Sequence, residues 1–285
     1  MRVLIVGKGS YIGNHIDEWL SAKGIEVHQL DVLTDAWKSF DYTPFDSIVH
    51  VAGIVHRPDC KDWDLYRRVN TEMPITIATK AKEQGVKQYV FFSTMGVYGI
   101  EKKLSPVIIN HQTPLKASSM YGKSKLMAEE GLLKLQDENF NVVCVRPPSV
   151  YGKGCRGGYI TGFTSIVKKL PIIPRAYEEV KQSFVYIDNL SELVRLALVH
   201  NLKGVLCPQD EKAVSANELL QTISNGIGKQ YHASRLLGLC VKLFHFLPIV
   251  TKAYGGIEYS RDISTIKGLN YVVVSFDEGI KRSVK

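Results

Sequence analysis

In the stretch SMYGKSK (119–125), Tyr121 and Lys125 stand four residues apart, a spacing that puts both side chains on one face of a helix. A phenol ordinarily ionises near ~10 and is a poor base at neutral pH. A neighbouring ammonium favours the phenolate, and a positively charged ring bound close by favours it further. Such a tyrosine can take or return the proton of a hydroxyl while hydride leaves or reaches the same carbon. Alone, the spacing also arises by chance on exposed helices. A second stretch gives it weight. FFSTMGVYG (91–99) begins as a core strand and ends in Ser93 and Thr94. Hydroxyls at the carboxyl end of a sheet strand stand where open α/β sheets bind ligands. Ser93 or Thr94 there can hydrogen-bond a substrate oxygen and share its proton with Tyr121.

A hydride needs a carrier, and IVGKGSYIG (5–13) offers a place for one. Its glycines, Gly7, Gly9 and Gly13, match neither G-x-G-x-x-G nor G-x-x-G-x-x-G. The setting is nonetheless a buried strand, a tight glycine turn and an amphipathic helix. In such a turn the backbone comes close to a pyrophosphate, and the N–H groups and dipole of the helix start favour its charge. Gly7, Gly9, Ser10, Tyr11, Ile12 and Gly13 are the candidate phosphate loop. Asp31, in QLDVLTD at the end of the second strand, can take adenosine ribose hydroxyls and repel a 2′-phosphate, which favours NAD.

The elements that must position these groups alternate. RVLIVG (2–7), EVHQL (26–30), SIVHVAG (47–53), QYVFFST (88–94) and NVVCVRP (141–147) read as strands. Helices are expected over Tyr11 to Lys23, Arg67 to Gln84 and Tyr121 to Leu135. Strand–helix alternation with short loops predicts an α/β fold with a Rossmann-type, doubly wound parallel sheet. Beyond residue 150, Gly and Pro become frequent. SFVYI (183–187) reads as one more strand, followed by a helix from Asn189 to about His200. The expected division is a dinucleotide-binding domain of 1–152 and 182–203. A smaller, mostly C-terminal substrate lobe of 153–181 and 204–285 would cap the carboxyl edge of the sheet.

The 285 residues carry a net charge of +8, with Lys and Arg scattered rather than banded. A phosphate-bearing small molecule fits that distribution better than nucleic acid does. Five cysteines (60, 144, 155, 207 and 240) with no C-x-x-C argue against a disulfide framework and a structural zinc site, and no metal site is expected. His50 reads as a core histidine. Met1 leads straight into a strand, with no signal-peptide pattern, so a cytoplasmic protein is expected. LLGLCVKLFHFLPIV (236–250) is too short, and too interrupted by Lys242, His245 and Pro248, to span a bilayer. It reads as a lobe helix packed on the core; the alternative is a surface helix touching a membrane.

Taken in order, these stretches resemble the extended short-chain dehydrogenases/reductases, in the nucleotide-sugar epimerase/dehydratase branch. The likeness covers nearly the whole chain. SIVHVAG resembles the family's strand-end motif, where Val51, Ala52 and Gly53 would let the cofactor approach. RVNTEMPITIATKAKEQGVKQYVFFST resembles the stretch from the helix Asn (Asn70) to the catalytic strand. VRPPSVYGKG (145–154) resembles the segment that passes the nicotinamide, which puts Pro148 beside the cofactor. SFVYIDNLSELV and YSRDISTIKGLNYVVVSFDEGIKRSV resemble the late strand–helix and the C-terminus. The resemblance implies a catalytic trio of Thr94, Tyr121 and Lys125, with Ser93 beside them and Lys125 also on the nicotinamide ribose. It also implies a nucleotide-sugar substrate, a role in polysaccharide precursor supply and a homodimer.

The departures narrow the reading. Aligned on YIG, the loop presents Gly7, Ser10 and Gly13, with Gly9 extra. DVLTD also resembles the family's later, adenine-contacting Asp; on that placement NADP stays open beside NAD. Dehydratases of the branch carry Asp-Glu after the catalytic Thr. Met95-Gly96 stand there, so expulsion of water is not expected. An Arg often precedes the Phe of the late motif. Gln182-Ser183 replace it, leaving Arg175, Lys181 or Arg261 to meet a diphosphate. The expected function is an NAD-dependent 4-epimerase working through a transient 4-keto sugar, on a UDP-hexose or UDP-N-acetylhexosamine. The alternative is an NAD(P)H-dependent 4-ketoreductase of a nucleotide-linked 4-keto-deoxysugar. The complete trio disfavours a non-catalytic nucleotide-binding protein.

Overall fold

Four successive apolar residues make Arg2–Val6 a strand buried on both faces. It pairs in parallel with Glu26–Leu30 on one side and Ser47–His50 on the other, Val3 lying opposite Val27 and Ser47. The computed structural model describes residues 1–55, 62–155, 158–230 and 232–284, so Cys60 lies outside the described residues. By their packing they divide into two compact units. The first is Met1–Gly99, Pro114–Pro147 and Leu190–Pro208; the second is Ile100–Thr113, Pro148–Asn189 and Gln209–Lys285.

The first unit holds a six-stranded parallel sheet. Across it run Gly204–Leu206, Asn141–Val145, Gln88–Phe92, Ser47–His50, Arg2–Val6 and Glu26–Leu30. The order reverses beside the first strand, as a doubly wound sheet requires, and such a reversal opens a crevice for ligands at the carboxyl ends. Leu4, Ile48, Tyr89, Phe91, Val142 and Cys144 from the strands meet Ile77, Ala81, Ala128 and Leu132 from the helices in one apolar core. Each such large side chain contributes about 1.5–3 kcal/mol by leaving water.

Three expectations are corrected. SFVYI does not join the large sheet: Phe184–Tyr186 pairs with Ser149–Tyr151 in the second unit. Pro147 and Pro148 have no N–H to donate, so the strand ending at Val145 cannot continue its ladder through them. The sixth strand is instead Gly204–Leu206, which was expected in the lobe and pairs with Val143–Val145. The helix expected over Arg67 to Gln84 starts earlier, at Trp63, and carries a π-helical turn at Arg68–Glu72 before running on through Met73–Glu83. The third correction concerns 236–250. The segment forms two helices, Arg235–Leu243 and Pro248–Tyr254, in which only Gly238 and Val250 are buried.

The second unit packs the helices Gly158–Lys169, Ala216–Ile227 and Phe276–Val284 against one another. Asp210 sits at its centre, fully buried. It accepts hydrogen bonds from Tyr151 Oη (2.7 Å), Tyr186 N (2.9 Å) and Asn189 Nδ2 (2.8 Å). Burial raises its carboxyl to about 6 despite those donors.

Candidate active site

Ser93 and Thr94 follow directly on the strand Gln88–Phe92, where the ladder ends with Ser93 N donating to Val145 O at 2.8 Å. Thr94 caps the short turn Met95–Tyr98, its Oγ1 accepting from Gly96 N at 3.1 Å. Tyr121 and Lys125 lie on the helix Met120–Leu133, which starts at Ser119, whose Oγ accepts from Gly122 N. A Cβ on Gly122 would stand 2.6 Å from Gly96 O, so only glycine lets the helix start press on the Thr94 turn. That close approach sets the Thr94 hydroxyl near enough to the Tyr121 phenol to favour its ionised form. Ser93 Oγ is buried and has no hydrogen-bond partner among the described residues, the state of a donor reserved for a ligand.

Lys125 departs from expectation. Its Nζ donates to Phe92 O at 2.8 Å and lies 4.5 Å from the centre of the Phe91 ring, buried under the sheet end. Burial pushes this amine down to about 7, against the pull of Glu129. Burial likewise raises the Tyr121 phenol, and the Thr94 hydrogen bond opposes the rise. The Thr94 hydroxyl thus favours the phenolate. The positive charge of Lys125 falls partly on His50, whose imidazole is held down at about 3 by burial first and by Lys125 second. Tyr89 Oη donates to Pro74 O, so the 2.6 Å contact between Tyr89 Oη and His50 Nδ1 places the imidazole proton on Nδ1. His50 is a neutral core residue.

Asn70 supplies a brace that motif reading named but did not assign. From the π-helical turn its Oδ1 accepts from Ile54 N (2.8 Å). Its Nδ2 donates to Ile54 O (2.9 Å) and to Ser124 Oγ (3.1 Å). A Cβ on Gly53 would lie 3.0 Å from both Asn70 Oδ1 and Lys125 Nζ. Thr71 Oγ1 adds a bond to Ser124 O at 2.7 Å. One extra residue in the turn lets both side chains reach the catalytic helix, a common use of π-turns at functional sites. Farther along that helix, buried Glu129 takes a bidentate pair from Arg146, whose Nη1 donates to Tyr98 Oη at 3.0 Å.

The glycine loop is built to admit a phosphate. Gly7 has φ +121°, and a Cβ there would stand 2.9 Å from Ala52 N. Val51 N and Ala52 N both donate to Val6 O at 3.0 Å, so the third strand's end closes against the first. Gly9 N–H points to Gln29 Oε1 at 3.1 Å. Ser10 caps the helix Tyr11–Ser21, its Oγ accepting from Gly13 N at 3.1 Å, and that first turn, including Tyr11 and Ile12, contains no acidic residue. A Cβ on Gly13 would lie 2.5 Å from Ser10 Oγ. Asp31 is exposed just past the second strand, with Oδ1 accepting from Leu33 N. These features fit a dinucleotide: a cradle free of side chains, a helix start with uncancelled dipole and a carboxylate at the neighbouring strand end. Pro148 opens the second unit, next to Ser149–Tyr151.

In that second unit, the three cations expected to meet a diphosphate are engaged. Arg175 pairs with Glu178 (2.8 Å), Lys181 with Glu218 (2.6 Å), and Arg261 donates to Asp210 O (3.2 Å). The cation standing against Gln182 is Lys102, which also donates to Tyr159 Oη. Nothing in its local sequence marks it, because the pairing joins residues far apart in the chain. Among the described residues no group of His, Cys, Asp and Glu could hold a metal ion. No helix there is long and apolar enough to cross a membrane.

A doubly wound sheet with a glycine loop at its first strand, and hydroxyl, phenol and amine at its fourth, defines an NAD-dependent oxidoreductase-type enzyme. The sequence model of the NAD dependent epimerase/dehydratase family matches residues 3–206, and the chain belongs to that family. It is an NAD-dependent enzyme of the epimerase or ketoreductase kind. It is 30% identical to the UDP-glucose 4-epimerase of Vibrio cholerae over 267 residues, 85% of this chain and 80% of that protein. It is 26% identical over 294 residues to the N-acetyl-alpha-D-glucosaminyl-diphospho-ditrans,octacis-undecaprenol 4-epimerase of Escherichia coli O157:H7, covering 96% of this chain and 83% of that one. Among solved structures, the Bordetella bronchiseptica enzyme WbmG in complex with NAD superposes with a TM-score of 0.75 over 100% of this chain and 93% of that one. At 19% identity, that likeness shows the fold alone.

Proposed function

We propose that the chain is a 4-epimerase of a nucleotide-linked hexose or N-acetylhexosamine. The observation that carries the reading is the buried Ser93 hydroxyl, without a hydrogen-bond partner among the described residues, next in sequence to Thr94 at the strand end against which the helix bearing Tyr121 and Lys125 packs. NAD bound there would supply hydride chemistry at the sugar's C4, with inversion requiring the 4-keto sugar to turn over in the site. Tyr121 takes the proton of the C4 hydroxyl as the carbonyl forms and gives it back as the hydroxyl reforms. Thr94 keeps the phenol oriented, and Ser93 donates to the C4 oxygen. Lys125 holds the nicotinamide ribose. The loop Gly7–Gly13 holds the dinucleotide phosphates, Asp31 the adenosine ribose, and Val51, Ala52 and Gly53 flank the cofactor.

Two relatives with 4-epimerase names, acting on differently carried sugars, support chemistry at C4. Met95 and Gly96 offer no carboxylic acid to expel water, so the sugar keeps its hydroxyls. The reading includes a homodimer formed through the catalytic helix and its neighbour, and a place in surface-polysaccharide precursor supply.

The test is to purify the protein, identify any NAD it carries, and supply UDP-galactose and UDP-N-acetylgalactosamine without added cofactor. The expected result is interconversion with the C4 epimer. Absence of interconversion, together with oxidation of NADH or NADPH by a nucleotide-linked 4-keto sugar, would replace this reading by a ketoreductase.

A further inference from the structure

The segment Arg235–Tyr254 presents its apolar side chains outward. Leu236 is 73% exposed, Leu239 60%, Leu243 73%, Phe246 68% and Ile249 64%. This is how the helix is docked, rather than loose packing. Its buried residue is Gly238, where a Cβ would stand 1.9 Å from Arg175 O, so the helix backbone lies directly on the chain just past the short strand Ile172–Pro174 and the leucines face away. Tyr254 Oη anchors the second helix by donating to Pro174 O at 2.9 Å. Beside it an apolar groove of about 370 Å³, lined by Phe163, Ile166, Ile249 and Ala253, extends the same surface. Large apolar side chains exposed together in this way mark an interaction surface.

Charge identifies the occupant. From Arg235 to Ile257 the sequence holds Arg235, Lys242 and Lys252 and not one Asp or Glu, within a chain of net charge +8. A second copy of this segment would bring like charges together with no carboxylate of the segment to meet them, as any two-fold interface repeats its own residues; the nearby Glu178 is already paired with Arg175. A bilayer carrying anionic headgroups meets both properties: acyl chains take the Leu and Phe side chains, and the headgroups take the cations. We infer that Arg235–Tyr254 docks the protein in plane on an anionic membrane surface. This inference stands apart from the reaction assigned above, because it is read by binding and not by turnover.

The test is co-sedimentation of the full chain with vesicles of phosphatidylcholine, alone and mixed with phosphatidylglycerol. Binding is expected to the mixed vesicles and to weaken as salt is raised. Leu239→Ser combined with Phe246→Ser should lower the bound fraction about tenfold or more. Lys242→Glu should lower binding to the anionic vesicles about fivefold or more. All three positions are exposed, and an unchanged circular dichroism spectrum and NAD affinity confirm that the variants fold. No binding to mixed vesicles, or binding that both variants retain, overturns the inference. So does a dimer in solution that Leu239→Ser/Phe246→Ser dissociates, which would assign the face to a second copy.

Discussion

Lys125 donates from within the catalytic helix to the carbonyl of Phe92, the last residue of the strand that delivers Ser93 and Thr94. This 2.8 Å bond ties the helix, one turn after Tyr121, to the strand end that leads into Ser93 and Thr94. The lysine therefore positions the hydroxyl-bearing strand as well as carrying charge.

In the proposed mechanism, replacing Tyr121 by Phe removes the side chain that takes and returns the proton of the substrate hydroxyl. The expected loss in kcat is about 10²–10⁴-fold, the usual worth of general acid–base catalysis. NAD affinity, measured by fluorescence quenching, should be kept. A variant that turns over at nearly the wild-type rate would remove Tyr121 from the mechanism.

The Glu129–Arg146 pair lies inside the first unit, both residues nearly inaccessible to water. Glu129→Gln leaves the guanidinium buried without its countercharge and should cost about 3–5 kcal/mol in denaturant unfolding. Glu129→Leu combined with Arg146→Met removes both charges and should recover much of that loss. Equal loss in the single and double variants would mean that the pair is not the source of the effect.

In the glycine loop two substitutions should separate folding from cofactor binding. Ser10→Ala removes a helix cap and should cost about 1 kcal/mol of stability. If the hydroxyl also meets a phosphate, NAD affinity falls with it, whereas Ser10→Thr restores both. Gly7→Ala puts a Cβ 2.9 Å from Ala52 N at φ +121°, so both stability and NAD affinity should drop. Isothermal titration with NAD beside thermal unfolding reads the two effects apart.

Lys102 gives the second unit a defined pH response. Burial brings its amine from the ordinary 10.5 to about 7. Between those values the unfolded chain holds a proton that the folded chain has released. Stability contributed by this residue therefore rises with pH across that window and is lowest below it. Lys102→Met should lack the rise, so the stability difference between wild type and variant should move in favour of wild type from neutral to alkaline pH. Urea unfolding of both proteins through that window measures it. A difference that stays constant with pH would show that Lys102 does not titrate there.

Local order was legible in the sequence wherever one element's own residues dictate it. Short apolar runs such as RVLIV and QYVFF suit strands buried on both faces of a parallel sheet, and each carries its strand in the structure. The four-residue spacing of Tyr121 and Lys125 and the strand-end position of Ser93 and Thr94 follow from helical and strand periods alone. Periodicity says nothing of which edge a short strand will join. Phe184–Tyr186 left the large sheet and Gly204–Leu206 entered it because ladder pairing is decided by partners distant in sequence. The same holds for the π-turn that aims Asn70, for the pairing of Lys102 with Gln182, and for the bond that draws Lys125 to Phe92. An apolar run such as 236–250 reads as core when only composition is visible. Its exposure was settled by the close backbone contact at Gly238, which turns the leucines away from the protein. Sequence determined which groups could do chemistry and on which elements they stand. Tertiary structure decided their partners, because burial and hydrogen bonding between remote segments depend on how the whole chain packs.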